Sequence, residues 1–280
     1  MFLRSFFILL VFLTSASVYA FSTTGFTDPY GMAIDPATHA IYISNMVGAP
    51  DAQDANAFIS KLKPDGTVDQ LRFIDATQAG VVLSAPQGMV IQDGKLYVTD
   101  VDHIRVFDVA TGKPQNDVFL GDLKPQHLSD MTIGTDGALY VVDGPANAVY
   151  QIDLQLKSAK ALITDNELGE ARAIVWDPTR QLFLVAGWAS GKVVAYDGAG
   201  KRQSIPAVLI PKVTDLIADE AGNIYAASES LKGVYRLGVN FAVSGIALGI
   251  PAPAGIAIDN SNVVVVSTEA NSVHSYSLPR

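Results

Sequence analysis

Three charged residues, Asp130, Arg172 and Asp215, stand 42 and 43 residues apart, at the point of a repeated apolar motif where other copies carry glycine. Two carboxylates gathered by such a repeat have the chemistry of a hard-cation site. Calcium takes about six to eight oxygens, so Asp130 and Asp215 would need carbonyls, water and the hydroxyls of the adjacent Ser129 and Thr214 to complete its shell. Arg172 then has two uses. It can steady an oxyanion on a carbonyl that the cation polarises, or it can pair with both carboxylates and leave a neutral, structural cluster with no need of metal. His127, just ahead of the third copy of the motif, adds a titratable group to the same place.

Other chemistry is absent from the chain. There is no cysteine, which removes disulfides, thiolate metal sites and cysteine nucleophiles together. The four histidines, His39, His103, His127 and His274, have no metal-ligand spacing. Gly187-Trp188-Ala189-Ser190-Gly191 puts its serine in the wrong place for a nucleophile elbow and reads as a hairpin turn. Gly94-Lys95, Gly112-Lys113, Gly191-Lys192 and Gly200-Lys201 lack the remaining residues of a phosphate loop.

The elements that must position the charged triad form a repeat. PYGMAID at Pro29 returns as PQGMVIQ at Pro86, LSDMTIG at Leu128, EARAIVW at Glu170, VTDLIAD at Val213 and PAGIAID at Pro253. Their third residues are Gly31, Gly88, Asp130, Arg172, Asp215 and Gly255, spaced by 57, 42, 42, 43 and 40 residues. Apart from the first, these gaps are the size of a propeller blade. An insertion from Met46 to Ala57 lengthens the first and is a candidate contact loop. A second apolar run follows each motif across Asp-Gly or Gly-Asn turns, and a third ends most copies. The runs are short, β-branched and aromatic, so they are strands, and each unit is a small antiparallel sheet. The two inner runs are apolar at consecutive positions, as befits sheets covered on both faces. Tyr42, Tyr97, Tyr140, Phe183 and Tyr225 recur in register as packing between sheets. The expected fold is all-β, a six-bladed propeller of four-stranded antiparallel blades spanning residues 21–280, with the N-terminal segment Phe21 to Thr27 closing the last blade.

Residues 1–20 read as a signal peptide: Arg4, an apolar stretch from Phe6 to Leu13, then Val18-Tyr19-Ala20 as the cleavage site. The stretch is shorter than the roughly 20 residues of a membrane span. The mature protein is therefore expected in the periplasm or outside the cell, without a membrane span and as a monomer. Lys+Arg 19 against Asp+Glu 28 gives a net charge of −9, which argues against nucleic acid as a partner.

The units resemble NHL-type repeats and the senescence-marker-protein/gluconolactonase superfamily. The likeness lies in the Pro-x-Gly-Met/Ile motifs at Pro29, Pro86 and Pro253, in Leu96-Tyr97-Val98-Thr99-Asp100 and in Leu139-Tyr140-Val141-Val142-Asp143. The resemblance implies a six-bladed propeller. In the lactonase branch it also implies a divalent metal at the channel mouth, held in part by an Asp in a Pro-Asp-Gly-Met setting. At that position this chain has Tyr30, Gln87, Ser129, Ala171, Thr214 and Ala254, none of them a carboxylate. The expectation is thus a non-catalytic binding or scaffold propeller that contacts a protein or small ligand at one face. The alternative is a metal-dependent lactonase or hydrolase with calcium on Asp130 and Asp215.

Overall fold

The computed structural model describes residues 19–278. The expected leader lies outside the described residues except for Tyr19 and Ala20. Six antiparallel sheets follow one another around a ring. Their innermost strands are Pro29–Ile34, Pro86–Gln92, Leu128–Ile133, Ala171–Asp177, Val213–Ala218 and Pro253–Asp259, and each packs beside the next, the sixth beside the first. We number the blades 1 to 6 in that order.

Consecutive apolar residues on the two inner strands give each blade two faces to bury. Among the described residues the core divides into six apolar clusters, each at a seam between neighbouring blades. The aromatic residues expected between sheets lie there. Tyr42 and Phe107 join blades 1 and 2, and Tyr140 and Phe183 join blades 3 and 4, with ring centroids 4.2 Å apart in the second pair. Fully burying such side chains stabilises a fold by roughly 1.5–3 kcal/mol each, so the seams hold the ring together.

Blade 6 draws three strands from the end of the chain, and Tyr19–Thr24 supplies the fourth. This strand runs antiparallel to Ser272–Ser277, with Phe21 opposite Ser275 and Thr24 opposite Ser272. The N-terminal closure expected from the sequence is present, and it ends at Thr24. Phe26 instead belongs to the core between blades 6 and 1, and Thr27 donates its amide to Asn45 at 3.0 Å.

Blade 2 varies the plan with three strands, Pro86–Gln92, Lys95–Asp100 and His103–Asp108. Residues 114–118 run along its outer edge, where Gln115 and Val118 donate amides to Val106 and Ile104 at 2.8 and 3.1 Å. Pro114 has no amide hydrogen to give, and a polar stretch follows it, so a full ladder does not form there.

Every inner strand opens with an irregularity in its pairing to the second strand. The first residue pairs with the second strand's last, and regular pairing resumes two residues on in blades 4 and 5 and three residues on in the others. Leu128 faces Asp143 and Met131 faces Val141; in blade 4, Ala171 faces Gly187 and Ile174 faces Val185. This register corrects the sequence repeat. Arg172 is the counterpart of Ser129 and Thr214, and Ala173 is the counterpart of Asp130 and Asp215. Aligning Glu170 with the prolines of blades 1, 2 and 6 displaced blade 4 by one residue, because the bulge makes the apolar run AIV a better anchor than the strand start.

Candidate functional site at the channel mouth

The corrected register defines two rings at the end of the channel where the inner strands begin. The first consists of Tyr30, Gln87, Ser129, Arg172, Thr214 and Ala254. The second consists of Gly31, Gly88, Asp130, Ala173, Asp215 and Gly255.

The second ring faces the following blade. A Cβ on Gly31 would sit 1.7 Å from the carbonyl oxygen of Gln87, and one on Gly255 would sit 2.6 Å from that of Tyr30. Glycine stands there because the neighbouring backbone comes too close for a side chain. Where the ring carries aspartate, the carboxylate spans the seam. Asp130 Oδ2 accepts the Ile174 amide at 2.8 Å and Oδ1 accepts its neighbour Met131's at 2.8 Å; Asp215 Oδ2 accepts the Ile256 amide at 2.7 Å. Enclosed by protein beside the narrow channel, both acids are hard to ionise. Burial, opposed by the two amides and by Arg172, pushes Asp130 up to about 7. Burial and then the charge of Asp130 push Asp215 well above the usual carboxylate range.

The first ring behaves differently according to side-chain length. Ser129 donates its hydroxyl to the Arg172 carbonyl at 2.9 Å, and Thr214 donates to the Pro253 carbonyl at 2.9 Å, so both stitch seams. The longer members reach the mouth. Tyr30 and Arg172, from opposite blades, meet across the channel, where Arg172 Nε donates to the Tyr30 hydroxyl at 3.0 Å and Nη2 donates to the same oxygen. The guanidinium lies 5.1 Å from the Tyr30 ring centroid and 5.7 Å from that of Trp188. Burial is the largest influence on Tyr30 and raises its phenol above its ordinary value, so it stays protonated. Beneath this crossbar lies a channel cavity of about 250 Å³, lined by both aspartates and by apolar inner-strand side chains.

His127 sits beside the crossbar. Burial and then the charge of Arg172 lower its pKa, so the ring is neutral at pH 7. Its Nε2 lies 2.7 Å from Gln87 Nε2, and since an amide nitrogen can only donate, Nε2 is the bare nitrogen of the ring. Gln87 also donates to the Pro50 carbonyl at 3.4 Å, which brings the Met46 to Ala57 insertion to the mouth. Gln87 Oε1 is buried and has no partner among the described residues.

The sequence-derived residues therefore separate. Asp130 and Asp215 lie in the channel wall, Ser129 and Thr214 in the seams, and Arg172 and His127 at the mouth. Arg172 pairs with neither aspartate; among the described residues its hydrogen bonds go to Tyr30. The strand-end acids Asp100 and Asp143 accept loop amides, from Ser84 and Ala85 in one case and Gln126 and His127 in the other. Tyr30, Gln87 and Trp188 were not singled out by sequence reasoning as site residues. The readable signal was the size of Tyr30 and Gln87 at a position where other blades carry small side chains.

The donor set does not fit a divalent cation. Both oxygens of Asp130 already accept amides, Asp215 accepts those of Ile256 and Leu216, and the two hydroxyls are given to carbonyls. Among the described residues no three His, Cys, Asp or Glu side chains converge on a common point.

Fold and channel together define a six-bladed β-propeller of the architecture shared by gluconolactonases and streptogramin lyases. Virginiamycin B lyase from Staphylococcus aureus superposes with a TM-score of 0.67 at 15% identity, over 92% of this chain and 98% of its own. A gluconolactonase from Xanthomonas campestris gives 0.71 at 18% identity over 94% and 89%, and a putative gluconolactonase gives 0.72 at 14% over 96% and 95%. No protein-family model matches the chain, and no curated protein is significantly similar in sequence. At these identities the likeness shows the fold alone.

Proposed function

We propose that this protein is an exported binding propeller that receives a small molecule at the channel mouth, over the Tyr30–Arg172 crossbar. The observation that carries this reading is Arg172 itself, a half-buried guanidinium near the rings of Tyr30 and Trp188 that, among the described residues, has no carboxylate to pair with. A charge so placed loses hydration without full compensation, which a fold tolerates where a ligand completes it. Propellers present such groups on loops and strand ends of one face while the blades stay rigid.

The lactonase reading draws support from the structural neighbours, which include proteins described as gluconolactonases. It lacks a ligand set for the metal, because Asp130 and Asp215 serve the seams. Two measurements on the purified protein separate the readings. Trp188 fluorescence, isolated in a Trp176→Phe background, is followed while a panel of sugars, lactones and organic acids is added. Proton release from glucono-1,5-lactone is followed with and without calcium. Saturable perturbation of Trp188 without turnover is the expected result. Calcium-dependent turnover abolished by Asp130→Asn and Asp215→Asn would replace the binding reading with the lactonase.

A further inference from the structure

Resting on that reading, we infer that the mouth is a carboxylate receptor: its ligand is a small organic acid whose carboxylate docks on the terminal Nη1–Nη2 fork of Arg172, with a flat body against Trp188. Arg172 presents five N–H groups, and Tyr30 takes those of Nε and one of Nη2. Among the described residues the end-on pair on Nη1 and Nη2 has no protein acceptor. That pair has the spacing of the two oxygens of a carboxylate and binds it through two parallel, charge-assisted bonds. A lysine ammonium cannot reproduce this fork.

The surroundings keep the fork positive and oriented. Tyr30 holds one edge of the guanidinium, so the other has little freedom left to lose on binding. The Trp188 ring centroid lies 5.7 Å from the Arg172 guanidinium and 5.2 Å from the Lys212 ammonium. Lys212 also lies 3.6 Å from Glu229, and Glu170, Asp51 and Asp143 act on His127, so acids rim the mouth but do not touch Arg172. The two aspartates below are tied to backbone amides, and burial raises both pKa values, Asp130 to about 7, which weakens the negative charge they set against Arg172. On a chain of net charge −9, a basic pair around an aromatic ring selects an anion locally against the overall field.

The probes are benzoate and its neutral isostere benzamide, titrated by calorimetry into the full mature protein with Trp188 fluorescence as the site report. Benzoate is expected to bind at least about tenfold more tightly than benzamide. That preference should weaken with added salt and vanish in Arg172→Gln. Arg172→Lys, which keeps the charge, should lose most of it and serves as the second variant; both are checked for unchanged melting. Equal binding of the two probes at Trp188, or a preference that survives in Arg172→Gln, overturns the carboxylate assignment and leaves the binding reading standing. No perturbation of Trp188 by these probes or by any member of the wider panel overturns both.

Discussion

Removing the closing strand should cost the ring a large part of its stability. In a chain that begins at Phe21, deletion of residues 21–24 strips four registered pairs from the outer edge of blade 6, Phe21 with Ser275 through Thr24 with Ser272. Four pairs carry about four ladder hydrogen bonds, each contributing ~0.5–1.5 kcal/mol net. Two further contacts go with them. Thr23 donates its hydroxyl to the Gly66 carbonyl at 2.6 Å, and the half-buried Phe21 ring lies over Gly66, so the strand also clips blade 6 to the outer hairpin of blade 1. Together these contribute about 4–8 kcal/mol by the same per-bond figures and the usual worth of partial apolar burial. Whole domains have only about 5–15 kcal/mol to lose. At roughly 2–4 °C per kcal/mol for a chain of this size, the midpoint should fall by ~10–25 °C. The cut must spare Phe26, which is core, or cavity formation would be mistaken for loss of the latch. Thermal and urea unfolding of the two chains decide the matter. Phe21→Ala, which keeps the ladder, should cost only ~1–2 kcal/mol. A truncated protein melting within about 2 °C of the mature chain would refute the latch and with it the assignment of ring closure to the N-terminal strand.

Exported protein analysed by mass spectrometry should begin at Phe21; a chain that keeps Met1 and stays membrane-bound contradicts the leader. Gly31→Ala should prevent folding or cost more than ~3 kcal/mol, because its Cβ would lie 1.7 Å from the Gln87 carbonyl oxygen, while Gly198→Ala, with nothing within 4 Å, should be nearly neutral. Asp130 and Asp215 hold their protons more tightly folded than unfolded, so their stabilising contribution is greatest at low pH. For Asp130 it is fully present below the unfolded value of 3.8 and lost as pH rises through about 7, an effect of at most ~4 kcal/mol by linkage. Melting followed from pH 4 to 8 should show this fall, and Asp130→Asn should flatten it; identical profiles would exclude the mechanism. Calcium at millimolar concentration should leave the melting temperature unchanged, and a rise that disappears in Asp215→Asn would restore the metal site.

The fold was legible because the apolar runs of all six blades repeat the same packing problem. The site was less so, and the reason is local. A repeat aligned by its apolar core counts residues along the strand, but each inner strand opens with a bulge, and a single displaced residue exchanges a side chain that faces the next blade for one that reaches the mouth. In that way Arg172 was grouped with Asp130 and Asp215, although among the described residues it pairs with neither and gives its hydrogen bonds to Tyr30. The leader-side segment was read correctly as a closing strand because an unpaired edge must be covered by whatever chain is left over. Trp188 was beyond reach, since its place over the mouth depends on a hairpin turn whose direction no sequence period encodes.

The corrected rings also explain why so acidic a chain concentrates a positive charge at its axis. In the ring that faces the seams, substitution is confined to what the next backbone tolerates: glycine where it approaches, alanine once, and aspartate where a carboxylate can replace a missing amide partner. Those aspartates are committed to amides, and burial raises both pKa values, Asp130 to about 7, so they carry less charge at neutral pH than surface carboxylates do. The adjoining ring is free of that constraint wherever its side chain is long enough to leave the seam, and only Tyr30, Gln87 and Arg172 are. Two of the three have joined across the channel, where Arg172 donates to the Tyr30 hydroxyl. What remains open above them is the unpaired fork of Arg172, flanked by a neutral imidazole and an indole face. Under the binding reading proposed above, recognition falls on the surface that Arg172 and Trp188 share.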